Sequence, residues 1–527
     1  MNASLLTASA LRGMIADGEE LALVDVREEL IFSRRHLLLA RSVPLSRFEL
    51  RFARLVPRRT TRIVLCDDGD ELACRAAFIL ARNGYAKVSL LDGGVSAWAA
   101  AGFEVFSGVN VPSKAFGEFI EQASGTPSLA AEDLDRLLRE GADLVVLDSR
   151  PFDEYRRVSI PTAMNVPGAE LVLRACEIAP SPKTMIVVNC AGRTRSIIGA
   201  QSLINAGVPN KVVALRNGTM GWSLAGLTCE SGKSRQAPGV SPATLAWAKG
   251  TAEGVAQRCG VRRIDRPTLA AWRTDTERTL YVFDVRDPAE YAAGHLPGAL
   301  SAPGGQLVQA TDHYIGTLGA RIVLVDDAAV RALMTASWLR QMGWQDVFVL
   351  AEAGSETGWP AAPTLAAETQ GDAALIDSAT LHQLLGRDVA TVVDLSLSRD
   401  YLKQHIPGAW FAIRTRLKRA LEKIPVRDTL VLTSEDDVLA QLAVPEAAAL
   451  VDTPVRALAG GNAAWQRAGL AFSVEPQMAD EPIDQWRKPY ERANDTTAAM
   501  SEYLAWETDL LSAVKRDASA KFCCVGR

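Results

Sequence analysis

Cysteine and histidine are scarce in this chain, with eight Cys and five His among 527 residues. No Cys-x-x-Cys pair occurs, and no Cys stands at metal-ligand spacing from a His. Neither a disulfide framework nor a zinc site is therefore expected, and the thiols are expected to be reduced. Long apolar runs are also missing. The longest, such as Leu144 to Leu147, are strand-sized and far short of the ~20 residues that cross a bilayer. No Lys or Arg precedes Arg12, and Asp17, Glu19 and Glu20 interrupt the first apolar segment, which argues against a secretory leader. A cytoplasmic chain without membrane attachment is expected. Charge of one sign is lacking as well: 57 Lys and Arg against 62 Asp and Glu leave a net charge of -5. With no basic block to neutralise a run of phosphates, nucleic acid is not expected as a partner.

What the chain does have is bulk and repetition. Its length, with 48% hydrophobic and 23% charged residues, exceeds one core and implies three or four domains at ~150 residues each. A strand ending in an acidic residue recurs four times: LALVDVRE at Asp25, LVVLDSRP at Asp148, YVFDVRDP at Asp284 and TVVDLSLS at Asp394. Each copy follows a short helical pattern and leads into a Pro-containing loop. A second apolar strand then runs to Cys66, Cys190, Asp326 or Ser434, between 40 and 42 residues beyond the acidic position. A helix and a third strand follow, and then Trp98, Trp222, Trp359 or Trp465, 31 to 33 residues on. Strands alternating with helices at this spacing predict an α/β fold, a parallel sheet with helices on both faces, built four times. The tryptophans are expected to act as hydrophobic lids rather than as substrate contacts.

Polar, Pro- and Gly-rich stretches near 108 to 125, 231 to 263 and 364 to 374 mark the boundaries. They delimit domains at 1–108, 126–231, 264–364 and 374–476, followed by a helical tail at 477–527. The helical stretch TLAWAKGTAEGVAQRCG in the middle linker is long enough to pack across both of its neighbours. The tail, with helical spacing around Tyr503, Trp506 and Leu510, is expected to dock on the repeats.

A parallel α/β sheet binds ligands at the carboxyl ends of its strands, so chemistry is sought at Cys66, Cys190, Asp326 and Ser434. After Cys190 come Ala191, Gly192, Arg193, Thr194, Arg195 and Ser196, and then a helix. Small residues let the loop backbone curl around the sulfur, the helix N-terminus adds its positive dipole, and two arginines add full charge. This combination favours a reactive thiolate and attracts an anion. After Cys66 the loop reads Asp67, Asp68, Gly69, Asp70, Glu71. Carboxylates around a thiol disfavour the thiolate, so Cys66 is expected to be inert.

The D-x-R strand end, the H-x-P-G-A loop, the strand-end Cys with its tight loop and the G-x-x-x-W ending resemble rhodanese domains. All four repeats share the likeness, and the second carries an active-type loop, CAGRTR. The resemblance implies sulfurtransferase chemistry, with sulfane sulfur held as a persulfide on Cys190. The second repeat departs from the pattern in having Ser159 where the others have His36, His295 and His405; the third and fourth lack the Cys, and Leu397 replaces the D-x-R arginine of the fourth. Asp148 and Arg150 are expected to form a structural pair beside the loop, and Trp222 to support it. Cys523 and Cys524 are expected to be bystanders.

The expected partners are a small anionic sulfur donor such as thiosulfate and a thiol or cyanide acceptor, with no cofactor and no metal. Arg193 and Arg195 would hold the sulfonate of the donor. A cysteine phosphatase would need Arg at position 196 to complete C-x5-R, and Ser196 stands there. A sulfur-carrier, binding or scaffold protein built from degenerate domains is the alternative reading.

Overall fold

The computed structural model describes residues 3–351, 365, 375–492 and 496–525. Trp359 and the boundary expected near 364 to 374 fall largely outside them. The four first strands are Leu21–Asp25, Leu144–Asp148, Leu280–Asp284 and Ala390–Asp394, each ending on its acidic residue. The second strands are Arg62–Cys66, Met185–Asn189, Arg321–Val325 and Thr429–Thr433. Each lies parallel to its own first strand along its length. Four α/β units result, every one a twisted parallel sheet of five strands at its centre.

Alternation along the strands assigns side chains to the two faces. In the first repeat Ala22, Val24, Ile63 and Leu65 enter one core, while Leu21, Leu23, Val64 and Cys66 enter the other. A two-residue period in continuously apolar strands is what a sheet covered on both faces requires.

The repeats pack in pairs. A continuous core joins the second to the third, with Trp338 donating to Ser202 Oγ at 2.8 Å across the junction. The first meets the fourth through Arg414, which pairs with Glu49 at 2.8 Å, and through Arg47, which pairs with Glu435 at 2.8 Å. The third repeat also lends the strand Thr317–Leu318 to the sheet of the first, antiparallel to Leu21 and Ala22.

The connections are more ordered than their composition implies. The stretch near 108 to 125, expected as a polar connection, is the helix Val111–Ser124, ended by Gly125 in the left-handed region (φ +62°). Its Phe116 and Ile120 are fully buried, and each contributes roughly 1.5–3 kcal/mol of burial, enough to hold the helix down. The middle linker contains the helix Pro242–Arg258, started by Ser241 as N-cap, and it packs against both the second and the third repeat. The tail forms the helix Thr496–Asp517, which lies along Val111–Ser124. No helix among the described residues is long and apolar enough to cross a membrane.

Candidate active site at the second repeat

Cys190 follows the strand Met185–Asn189, and the loop after it enters the helix Thr194–Asn205. Its Sγ is 3.4 Å from Ser196 Oγ, and that hydroxyl donates to the Arg193 carbonyl at 2.8 Å, tying sulfur, loop and helix start together. The loop carbonyls are fixed from the other side. Thr219 N–H donates to Cys190 O at 2.8 Å and Met220 N–H to Ala191 O at 3.0 Å. This close approach explains the glycine of the G-x-x-x-W ending. A Cβ on Gly218, where φ is +54°, would lie 2.3 Å from the Cys190 carbonyl oxygen.

Behind the loop, Arg150 makes a two-pronged contact with Asp148 at 2.8 and 2.7 Å and donates to Val158 O at 2.6 Å. Asn189 donates to the same carboxylate at 2.9 Å. Asp148, Arg150 and Trp222 are buried and do not line the cavity at Cys190; the Trp222 indole donates to Thr228 O at 3.0 Å within the core. Ser159 occupies a backbone bridge to Glu230, as His36 does to Phe106 and His405 to Ser473.

Cys190 borders a cavity of about 200 Å³, together with Ala191, Gly192, Arg193, Thr194 and Arg195. Glu154 and Met220 of the same repeat also line it, and further walls come from distant sequence, among them Lys114 of the linker helix, Gln306 and His313 of the third repeat, and Lys488, Tyr490 and Glu507 of the tail. Sequence reasoning missed all six. The cluster WRKPY at 486–490 was a local signal for Lys488 and Tyr490 alone; nothing near Lys114, Gln306, His313 or Glu507 marked them.

The two arginines differ in their surroundings. Arg193 gives Nε to Glu118 Oε1 at 2.6 Å and Nη2 to Glu118 Oε2 at 2.8 Å, and it also pairs with Glu121. Glu118 reaches it because Gly117 lets the linker helix touch the start of the loop helix. A Cβ on Gly117 would lie 3.0 Å from Thr194 Cα. Arg195 pairs with Glu154 at 2.9 Å and reaches Gln306 at 3.3 Å. Lys488 approaches the same Glu154 at 3.0 Å. Burial opposes ionisation of Glu154, yet Arg195 and Lys488 hold its carboxyl well below the usual range. Around Arg195 one positive charge is thus in excess. Around Arg193 the balance is reversed, since Glu118, Glu121 and Glu507 face Arg193 and Lys114.

The equivalent loops of the other repeats are filled by their own side chains. Asp67 accepts from Gly69 N–H and Ala73 N–H, both at 2.9 Å. Asp326 accepts from Arg331 N–H at 2.8 Å and Arg331 Nε at 3.0 Å. Ser434 Oγ donates to the Asp436 carbonyl at 2.5 Å and accepts from Ala440 N–H at 3.3 Å. The Cys66 thiol is pushed well above its ordinary value, chiefly by burial and next by Asp25. The loop carboxylates Asp67 and Asp68, expected as the main cause, also raise it but by less than burial and Asp25. Asp67 is spent on capping the loop, and Asp68 on an ion pair with Arg27.

The rhodanese-like domain model matches residues 7–101, 130–225, 267–357 and 377–468, most of the chain. The chain belongs to the rhodanese family. This rhodanese is 49% identical to a crystal structure of a thiosulfate sulfurtransferase from Pseudomonas aeruginosa, covering 99% of this chain and 100% of that one with a TM-score of 0.96. It is also 33% identical over 94 residues to an HTH-type transcriptional regulator of Mycobacterium tuberculosis. That match takes in 18% of this chain, which spans 41% of the regulator's length. Cys523 and Cys524 do not line the cavity at Cys190; Cys524 Sγ is 3.3 Å from Ser124 Oγ and Cys523 Sγ 3.8 Å from Arg340 O.

Proposed function

We propose that this rhodanese transfers sulfane sulfur from thiosulfate or a similar anionic donor to a thiol or cyanide, through a persulfide on Cys190. The observation that carries the reading is that Cys190 opens onto a cavity lined by Lys114, Arg193, Arg195 and Lys488, while the loops at Cys66, Asp326 and Ser434 are filled by their own side chains. Cys190 Sγ attacks the outer sulfur of thiosulfate, and the donor's S–S bond breaks with its electron pair on the departing sulfite. An acceptor nucleophile then takes the outer sulfur and frees Cys190. Two half-reactions on one nucleophile give ping-pong kinetics, and neither requires a metal or organic cofactor.

In this reading Arg195, with Lys488 beside it, holds the sulfonate, and the excess positive charge around Arg195 supports that role. Arg193, saturated by Glu118 and Glu121, holds the loop in shape. Ala191, Gly192, Thr194 and Ser196 shape the backbone and the helix start around the sulfur, with Asp148 and Arg150 bracing them from behind. The similarity over the whole chain to a protein named a thiosulfate sulfurtransferase supports the same reading. The test is thiocyanate formation from thiosulfate and cyanide by the purified chain. Cys190→Ala should abolish it, because a methyl group cannot carry sulfur, and near-unchanged turnover in that variant would refute the assignment.

A further inference from the structure

The tail places an unexpected group in the Cys190 cavity. Glu507, on the helix Thr496–Asp517, lines it and is 1% exposed. One carboxylate oxygen is anchored: Oε1 accepts from Thr194 Oγ1 at 2.6 Å and lies 3.6 Å from Lys114 Nζ. The other, Oε2, is buried without a hydrogen-bond partner. It lies against the loop, 3.4 Å from where a Cβ on Gly192 would stand. A buried acceptor with no partner costs of order 1–3 kcal/mol, and a carboxylate is poorly suited to a cavity whose only task is to hold an anion. The charged and titratable groups packed around it are Lys114, Arg193, Glu118, Tyr503 and Cys190.

We propose that Glu507 Oε2 is the general base for a thiol acceptor in the second half-reaction. The proposal rests on the persulfide reading of Cys190 and deepens it by naming the residue that takes the proton of a thiol acceptor. The acceptor RSH enters the cavity and gives its S–H proton to Glu507. Its sulfur forms a bond to the outer sulfur of the Cys190 persulfide, Cys–S–SH. The bond between Cys190 Sγ and the outer sulfur breaks, and its electron pair remains on Sγ as the thiolate. The products are RS–SH, the Cys190 thiolate and a protonated Glu507, which returns its proton to water. The acceptor sulfur is oxidised to a persulfide while the Cys190 persulfide is reduced to the thiolate, so no outside oxidant is needed. Lys114 and Thr194, both bound to Oε1, keep Oε2 turned toward the site.

The experiment uses the full chain, loaded with thiosulfate and freed of excess donor, and follows discharge of the persulfide to dithiothreitol and, separately, to sulfite in alkaline buffer. The sulfite dianion has no proton to surrender. Glu507→Gln should slow discharge to dithiothreitol on the order of 10²-fold, with a far smaller effect on discharge to sulfite. The thiol rate in the variant should also rise with pH, as solution thiolate replaces the missing base. Glu507→Asp, which keeps a carboxylate, should recover part of the thiol rate and serves as the readout if the Gln variant does not fold. Equal slowing with both acceptors, or no slowing with either, would overturn the proposal. A wild-type chain that never gains sulfur on Cys190 would overturn the persulfide reading itself, a separate and earlier failure.

Discussion

Arg193 and Arg195 stand two residues apart in one loop, yet their removal should have different consequences. Arg193→Ala strips the cation from Glu118, which is 4% exposed and has no second basic partner among the described residues. An uncompensated buried carboxylate costs ~3–5 kcal/mol, so the first effect should be a large fall in the unfolding midpoint and a misshapen loop. Arg195→Ala leaves Glu154 still paired to Lys488 at 3.0 Å, so the fold should tolerate it. What this variant loses is one charge-assisted contact to the sulfonate, roughly 1.5–3 kcal/mol, or about ten- to a hundredfold in kcat/KM for thiosulfate. The assay is kcat/KM for thiosulfate and for a small hydropersulfide donor lacking a sulfonate, beside urea melts of both variants. Arg195→Ala should lose mainly with thiosulfate, and Arg193→Ala should lose with both donors and melt early. The reasoning fails if Arg195→Ala loses equally with both donors, or if Arg193→Ala loses thiosulfate selectively at unchanged stability.

Cys66 should resist alkylation at neutral pH while Cys190 reacts, and Cys66→Ala should leave turnover nearly unchanged, because burial raises that thiol and keeps it protonated; labelling of Cys66 at the Cys190 rate would contradict this. Glu154 has a depressed folded pKa, so its contribution to stability is complete above its ordinary 4.5 and is lost as pH falls toward the depressed value. The stability gap between wild type and Glu154→Gln should therefore be wide at pH 7 and narrow on acidification, and a gap that widened in acid would refute the assignment.

The strands were legible because their apolar runs are continuous and end on a charge, as at Asp25 and Asp148, where an arginine two residues on satisfies the buried carboxylate. The loop at Cys190 was legible for the same local reason. The helix Val111–Ser124 was not, because buried Ser113, Lys114 and Glu118 give it the composition of a linker. Their partners Thr311, Glu507 and Arg193 lie 198, 393 and 75 residues away in sequence, beyond any local pattern. The strand Thr317–Leu318 has only two residues, too few to carry a period. Distance in sequence also hid the tail's share of the cavity: Lys488, Tyr490 and Glu507 reach it through the packing of the tail on the linker helix and on Met220 and Leu224 of the second repeat. The third and fourth repeats read as silent from their missing cysteine, while the way Asp326 and Ser434 fill their own loops is a matter of side-chain geometry.

The central claim is that Cys190 carries the transferable sulfur, and intact-mass spectrometry tests it most directly. After thiosulfate treatment the wild-type chain should gain about 32 Da, one sulfur atom, on the peptide containing Cys190, and a thiol should remove it. Cys190→Ala should gain nothing. An adduct of that mass on Cys66 or on the Cys523–Cys524 tail, or one that persists in Cys190→Ala, would contradict the account.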